Sequence, residues 1–383
     1  MRLGTFVVLT VSLFLPNLFG AETPVRPRNF PPPVISPEVH SDRTVTFRVR
    51  APNAKEVKVS GEWPGGAKDL ANDGAGLWSV TLGPLEPELY GYSFSIDGFQ
   101  TLDPGNSSVK PMRSPRTSIL DIPGDKPHDF RPAIAHGAVR VHAYESKALN
   151  KRRGLYVYTP PDYDKQPSSR YPVLYLFHGA GDNEATWIVL GRAHWILDNL
   201  LADGKVKPMI VVMTDGHAAP PSPPGGGAGG FSRNIEVFEQ DLLKDVIPFV
   251  EANYRIQPNA ENRAIIGLSM GGGQSLTIGL THPELFAWVG GMSSAVFNPE
   301  ATLANALKDP QKTNERLKLL WFGCGQDDFL IKNNQQFSEL LEKAGIKHTF
   351  RQSPGNHSWP VWRRYLAEFA PLPFKDSATA AKE

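Results

Sequence analysis

Cysteine is almost absent from this sequence: one, Cys324, among 383 residues. An internal disulfide is therefore impossible, and stability has to come from buried apolar surface. Cys324 lies in "LKLLWFGCG", where a thiol reads as a small buried hydrophobe. Net charge is nearly absent too, since 40 basic and 39 acidic residues leave a formal +1. That excludes a basic field able to hold nucleic acid or an anionic membrane surface. The one basic cluster, Lys151-Arg152-Arg153, reads as the solvated start of a strand. No apolar run is long enough to anchor the chain across a bilayer. The run "TFVVLTVSLFL", Thr5 to Leu15, follows Arg2 and precedes the small residues Gly20 and Ala21. Residues 1–21 are accordingly expected to be an export signal cleaved near Gly20 or Ala21, giving a periplasmic or secreted protein. Metal-ligand spacing is also missing. His136 and His142 are the nearest histidine pair, with no carboxylate at ligand spacing. The "GGGAGG" stretch, Gly225 to Gly230, lacks the strand–helix context of a nucleotide loop and reads as flexible loop. Neither a metal nor a cofactor is expected, and no internal repeat is present.

What is present divides into two patterns. Residues 22–35 are proline-rich and expected to be extended. Over residues 36–121, "RTVTFRVRAP", "EVKVSGEW", "GLWSVTLGPL" and "LYGYSFSIDG" alternate apolar and polar residues between turn signals. That period of two predicts a small all-β, immunoglobulin-like sandwich. Residues 122–137 have linker composition. From residue 138 the period changes. Strand candidates are "VRVHAY", "GLYVYTP", "PVLYLFHG", "PMIVVMT", "RAIIGLS", "FAWVGGMS", "LKLLWFG" and "KHTFRQS", mostly with helical stretches between them. One such stretch, Asn234 to Tyr254, places Phe238, Leu242, Val246 and Val250 on one helix face. Residues 138–372 are thus expected to form an α/β domain, a mostly parallel sheet covered by helices on both faces. Residues 373–383 are expected to be a disordered tail.

The stretch "GLSMGGGQS", Gly267 to Ser275, contains G-x-S-x-G centred on Ser269, between an apolar strand and a helix. A serine hydroxyl needs a base and a rigid, exposed placement to act as a nucleophile. A sharp strand–turn–helix junction supplies the placement, and Gly267 and Gly271 let the backbone pass tightly beside Ser269. The alternative is a serine that caps the following helix. In such folds nucleophile, acid and histidine follow in chain order. Three histidines lie beyond Ser269. His282 ends the same helix, His348 sits inside a strand, and His357 lies in the loop "SPGNHSW" after the last strand, which favours His357 as base. The acid should follow the strand "LKLLWFGCG". Asp328 of "QDDFL" is favoured, Asp327 stays open, and Asp309 lies too far upstream. Backbone donors for an oxyanion are expected at Met270, the residue after the nucleophile, and at Ala180 in "YLFHGAGDNEATW". His178 is expected to brace that loop. The long stretch from Gly216 to Asn234 either borders the active site or is a plain surface insertion.

The stretches "YPVLYLFHGAGDNEATW", "GRAHWILDNLLADGKVKPMIVVM", "RAIIGLSMGGGQSLTIGL" and "GNHSWPVWRRYL" resemble carbohydrate esterase family 1, above all the bacterial, esterase D-like feruloyl esterases of xylan-degrading systems. The resemblance covers essentially the whole second domain. It implies an α/β-hydrolase fold and a serine esterase mechanism with Ser269, Asp328 and His357 in the family positions. It also implies Trp362 as a wall of the substrate pocket, with Trp359 and Gly179 as further substrate-binding candidates. The first domain resembles a family 48 carbohydrate-binding module through "VKVSGEWPGG", "GLWSVTLGPL" and "YGYSFSIDG". Trp63, Trp78, Tyr90 and Tyr92 are its ring-stacking candidates. Trp78 and Tyr92 are expected in the core, leaving Trp63 and Tyr90 for carbohydrate. The resemblance implies hydrolysis of feruloyl esters on a plant cell-wall polysaccharide such as feruloylated arabinoxylan. The same fold serves acetylxylan esterases and esterases of siderophores or other small esters. A non-catalytic carbohydrate-binding protein is the reading of a different class.

Overall fold

A computed structural model describes residues 33–220 and 227–374. The expected export signal, most of the proline-rich segment and most of the tail lie outside the described residues. The four period-two stretches form the strands Val45–Arg50, Val57–Gly61, Leu77–Leu82 and Glu88–Ile96. Val45–Arg50 pairs antiparallel with Leu77–Leu82 in one sheet. Glu88–Ile96 pairs with Val57–Gly61 and with Ser118–Ile122 in the other. Alternation decides what each face does. Tyr90, Tyr92 and Phe94 point into the sandwich core with Phe47, Trp63 and Trp78. Leu89, on the opposite face of the same strand, joins the core of the α/β domain, as does Ile119.

This corrects the expectation for Trp63 and Tyr90 as sugar-stacking residues. Their exposures are only 4% and 5%. Trp63 packs on Phe47 and Tyr90, with ring centroids 5.4 and 6.2 Å apart. The Tyr90 hydroxyl donates to the Glu86 carbonyl at 2.9 Å. Tyr90 faces inward because it shares its strand face with the core residues Tyr92 and Phe94, and Trp63, beyond the end of its strand, folds onto Phe47 and Tyr92.

The second half forms an eight-stranded sheet. Its strands are β1 (Ala138–Ser146), β2 (Lys151–Thr159), β3 (Val173–Phe177), β4 (Ile210–Thr214), β5 (Arg263–Gly267), β6 (Trp288–Met292), β7 (Leu319–Gly325) and β8 (Thr349–Ser353). The order is β1-β2-β4-β3-β5-β6-β7-β8. Only β1/β2 and β2/β4 pair antiparallel. The main helices are α1 (Ala193–Ala202), α2 (Gly227–Asp241), α3 (Met270–Thr281), α4 (Ile331–Ala344) and α5 (Trp359–Phe369). The sheet separates two apolar layers. Tyr175 and Phe177 of β3 face Phe238, Leu242, Val246 and Val250. Leu174 and Leu176 face Ile196, Leu197, Tyr365 and Phe369 on the other side. This is the α/β-hydrolase fold. The helix expected from Asn234 starts earlier, at Gly227, and runs on through a wide π-turn at Leu242–Val246 into Ile247–Asn253. Four residues read as flexible loop are thus helical. Phe231, on this early part of the helix, meets Phe297 with tilted rings whose centroids are 5.5 Å apart.

Residues 123–137 are irregular, yet they do not behave as a free linker. The Asn199 side-chain amide of α1 donates to the carbonyls of Pro127 and Asp129 at 2.7 and 2.8 Å. His128 is buried, its Nε2 2.9 Å from Glu88 at the start of a sandwich strand. Arg363 of α5 is 1% exposed, and its guanidinium meets the same carboxylate at 2.8 Å. It also donates to the carbonyls of Leu190 and Leu89. Burial raises the pKa of Glu88, but His128 and Arg363 outweigh it and bring the carboxyl down to about 2. Arg363→Met leaves that buried carboxylate with His128 alone and removes its permanently charged partner. It should lower the unfolding free energy by about 3–5 kcal/mol, measured by urea denaturation at pH 7. Because the folded pKa is depressed, the stabilisation is present above the ordinary value of 4.5 and is lost as pH falls towards 2.

Candidate active site

Ser269 stands between β5 and α3 with φ 53° and ψ −113°, a conformation that non-glycine residues rarely adopt. Its surroundings hold it there. The Ser269 N–H donates to Met292 O at 2.8 Å, and its carbonyl accepts from Gly273 and Ala295 N–H, both at 3.0 Å. The spacing of the glycines follows from close approach. A Cβ on Gly267 would lie 2.4 Å from the Gly271 backbone, and one on Gly271 would lie 2.5 Å from the His178 carbonyl oxygen. The Ser269 side chain makes no cap bond to α3. Its hydroxyl instead lies 3.0 Å from His357 Nε2.

His357 occupies the loop between β8 and α5. Its Nδ1 lies 2.9 and 3.0 Å from the two carboxylate oxygens of Asp328. Asp328 follows β7 and is 2% exposed, whereas Asp327 faces solvent. The turn after β7 therefore presents only the second aspartate to the histidine. Burial disfavours the ionised Asp328, but hydrogen bonds from His357, Ser293 and the Leu330 N–H prevail and hold its pKa below the ordinary value. The nearby Cys324 thiol is pushed up to about 12 by burial and by Asp328, so it stays protonated at neutral pH. His282 pairs with Glu239 and Glu284, and His348 with Ser338, so neither meets Ser269. Asp309 caps a short helix, accepting from the Lys312 N–H.

The backbone donors fall beside the serine. Met270 is the first residue of α3, so its N–H belongs to the first turn, which has no intrahelical acceptor. Gly179 is so close that a Cβ there would lie 3.3 Å from Ser269 Cβ. Ala180 is exposed, and among the described residues none accepts its N–H. His178 Nδ1–H donates to the Gly179 carbonyl at 2.8 Å, while its Nε2 accepts from the Gly216 N–H at 2.8 Å. These two bonds fix the neutral tautomer. They also orient the 179–180 peptide, because C=O and N–H of a trans peptide point in opposite directions.

Trp362 and Trp359 sit differently from the expected pocket walls. Trp362 is 6% exposed, meets His357 edge-on at 4.9 Å, and donates its indole N–H to Ser293 Oγ at 3.0 Å. It thus packs directly against the histidine ring. Trp359 is 2% exposed and packs on Trp187. As the first residue of α5 it donates its backbone N–H to Glu62 of the sandwich at 3.0 Å. Both indoles are buried because α5 packs on the sheet, and the Lys110 ammonium lies over the Trp359 ring at 5.5 Å. Sequence reasoning missed three residues here. Phe329, 76% exposed, lies 4.4 Å from the His357 ring. Its position next to Asp328 in "QDDFL" was the available signal. Glu62 and Lys110 come from the sandwich, and nothing local in the sequence marks them. Lys110 pairs with Asp182 at 2.7 Å, three residues beyond Gly179. No group of three His, Cys, Asp or Glu able to hold a metal occurs among the described residues.

The Esterase family model matches residues 146–371, which contain every member of this site except Glu62 and Lys110. An endo-1,4-beta-xylanase/feruloyl esterase from Xylanibacter ruminicola is 38% identical over 349 residues, 88% of this chain. The chain spans 46% of that relative's length. A solved ferulic acid esterase is 27% identical, with a TM-score of 0.53 over 62% of this chain and 97% of the other. The enterobactin esterase from Shigella flexneri shares the fold at 18% identity, with a TM-score of 0.64 over 86% of this chain and 92% of that one. With strand order, nucleophile turn and matched segment in agreement, the chain belongs to the esterase family that this model describes.

Proposed function

We propose that this chain is an exported serine esterase that releases ferulate from the arabinosyl side chains of plant cell-wall xylan. The observation that carries the chemistry is the continuous line Asp328–His357–Ser269, with contacts of 2.9 and 3.0 Å. Ser269 Oγ attacks the ester carbonyl while His357 Nε2 takes its proton. Asp328 accepts from Nδ1–H and stabilises the imidazolium. The tetrahedral oxyanion lies against the N–H groups of Met270 and Ala180. His357 then protonates the departing sugar alcohol, and later activates the water that hydrolyses the acyl-enzyme.

The substrate class rests on two supports. Similarity to the xylanase/feruloyl esterase covers 88% of this chain, so it reaches beyond the catalytic segment into the sandwich. Phe329 also offers an exposed aromatic face beside the base, where an apolar or ring-shaped substrate group can be held. Export rests on Arg2 and the short apolar run Thr5–Leu15. Methyl ferulate, feruloylated arabinoxylan, acetylated xylan and a ferric catechol triester should be compared on purified protein. The expected result is ferulate released from the first two at rates well above acetate from the third. Acetate from xylan with methyl ferulate untouched would sink the feruloyl assignment.

A further inference from the structure

The loop after β3 presents three consecutive peptide groups, and each is held by a different part of the molecule. The 179–180 peptide is held by His178, as described above. The 180–181 peptide is held through Gly181 N–H, which donates to His217 Nε2 at 3.0 Å. The 181–182 peptide is held through the Gly181 carbonyl, which accepts the Arg113 N–H of the sandwich at 3.0 Å. Gly181 has φ 85°, and a glycine there can rotate its flanking peptides at little steric cost. Hydrogen bonds, not sterics, therefore decide which way this stretch faces.

We infer that His217 is a positioning residue for the oxyanion hole: by accepting the Gly181 N–H it locks the 180–181 peptide and leaves the Ala180 N–H as the donor facing the ester. The inference rests on the serine-esterase reading of Ser269. His217 is itself firmly mounted in the loop after β4. Its N–H donates to Asp215 Oδ1 at 2.9 Å, and its carbonyl accepts from Arg153 at 3.0 Å. Arg153 is buried and ion-paired with Asp241 at 3.1 Å, and Asp241 also accepts from the Tyr144 hydroxyl at 2.7 Å. An imidazole can accept at Nε2 only while neutral, with its proton on Nδ1. Burial, aided by Arg113 and Arg153 and opposed by Asp215, brings the His217 pKa down to about 4. The ring thus stays an acceptor at neutral pH.

The test uses the full chain with p-nitrophenyl acetate and an aryl trifluoromethyl ketone, whose hemiketal with Ser269 places an oxyanion in the hole. His217→Ala should lower kcat by about 10- to 100-fold with KM within about twofold, since a displaced donor acts on the transition state. Ketone affinity should fall by a similar factor. His217→Gln keeps an acceptor oxygen and should stay within about fivefold of wild type. Wild-type kcat and ketone affinity in His217→Ala overturn the inference. So do equal losses in the Ala and Gln variants at unchanged Tm, or a loss confined to KM. Turnover by Ser269→Ala equal to wild type overturns the esterase reading instead, and takes this inference with it.

Discussion

Ser269→Ala should lower kcat by about four to six orders of magnitude, and His357→Ala by a similar factor. The two losses should not add in the double variant. Nucleophile and base act as one unit, and once either is gone the other has nothing to do. The geometry supports the size of the effect. The hydroxyl lies 3.0 Å from the imidazole and makes no bond to the helix it precedes. A capping serine would give the opposite pattern: stability reduced by about 1 kcal/mol and turnover kept. Tm in Ser269→Ala should stay close to wild type, because the φ of 53° is held by backbone bonds to Met292, Gly273 and Ala295, not by the hydroxyl. A fluorophosphonate probe checks the same point covalently. It should label wild type and leave Ser269→Ala unlabelled. A wild type that takes no label would favour a carbohydrate-binding protein that has kept the fold.

The parts of this site that were legible in the sequence are those written in local pattern. β5, RAIIG, is apolar through its centre, and the G-x-S-x-G that follows puts glycines where a Cβ at Gly267 or Gly271 would lie about 2.4–2.5 Å from backbone. The apolar strand centre and the glycine spacing are visible without coordinates. The choice of histidine also follows from position, since His282 ends α3 and His348 stands just before β8, not inside it, each with partners of its own. What the sequence hid depends on contacts between distant segments. Aromatic residues in a strand look the same whether the strand has one covered face or two. Glu88–Ile96 has two, which is why Tyr90 faces the sandwich core while Leu89 enters the core of the other domain. A proline- and glycine-rich stretch looks like a linker whether or not a distant side chain pins it, as the Asn199 amide pins the Pro127 and Asp129 carbonyls. The tryptophans of α5 carry a family motif, but burial is set by how α5 lies on the sheet. The site thus draws on the sandwich as well as on the eight-stranded sheet, with Glu62 on the first turn of α5 and Lys110 and Arg113 on the loop after β3.

Asp328→Asn should lower kcat by about 10⁴-fold, while Asp327→Asn should leave it within about threefold of wild type. The two residues are adjacent and chemically identical, so the contrast tests position alone. Asp328 is 2% exposed and holds His357 Nδ1 at 2.9 Å, whereas Asp327 faces water. The loss comes from the tautomer. A carboxylate accepts at Nδ1–H, which leaves Nε2 unprotonated and able to take the Ser269 proton. An asparagine amide can turn its NH2 toward Nδ1, which moves the ring proton to Nε2 and blocks that transfer. Shape is nearly conserved, so substrate binding should persist and the change should appear in kcat with KM little affected. The Leu330 N–H also donates to Asp328 Oδ1 at 2.8 Å, and the amide oxygen of asparagine can still accept it. Folding should therefore survive, as a near wild-type Tm would verify. Damage from Asp327→Asn with Asp328→Asn active would mean that the turn after β7 presents the other carboxylate to His357 in solution.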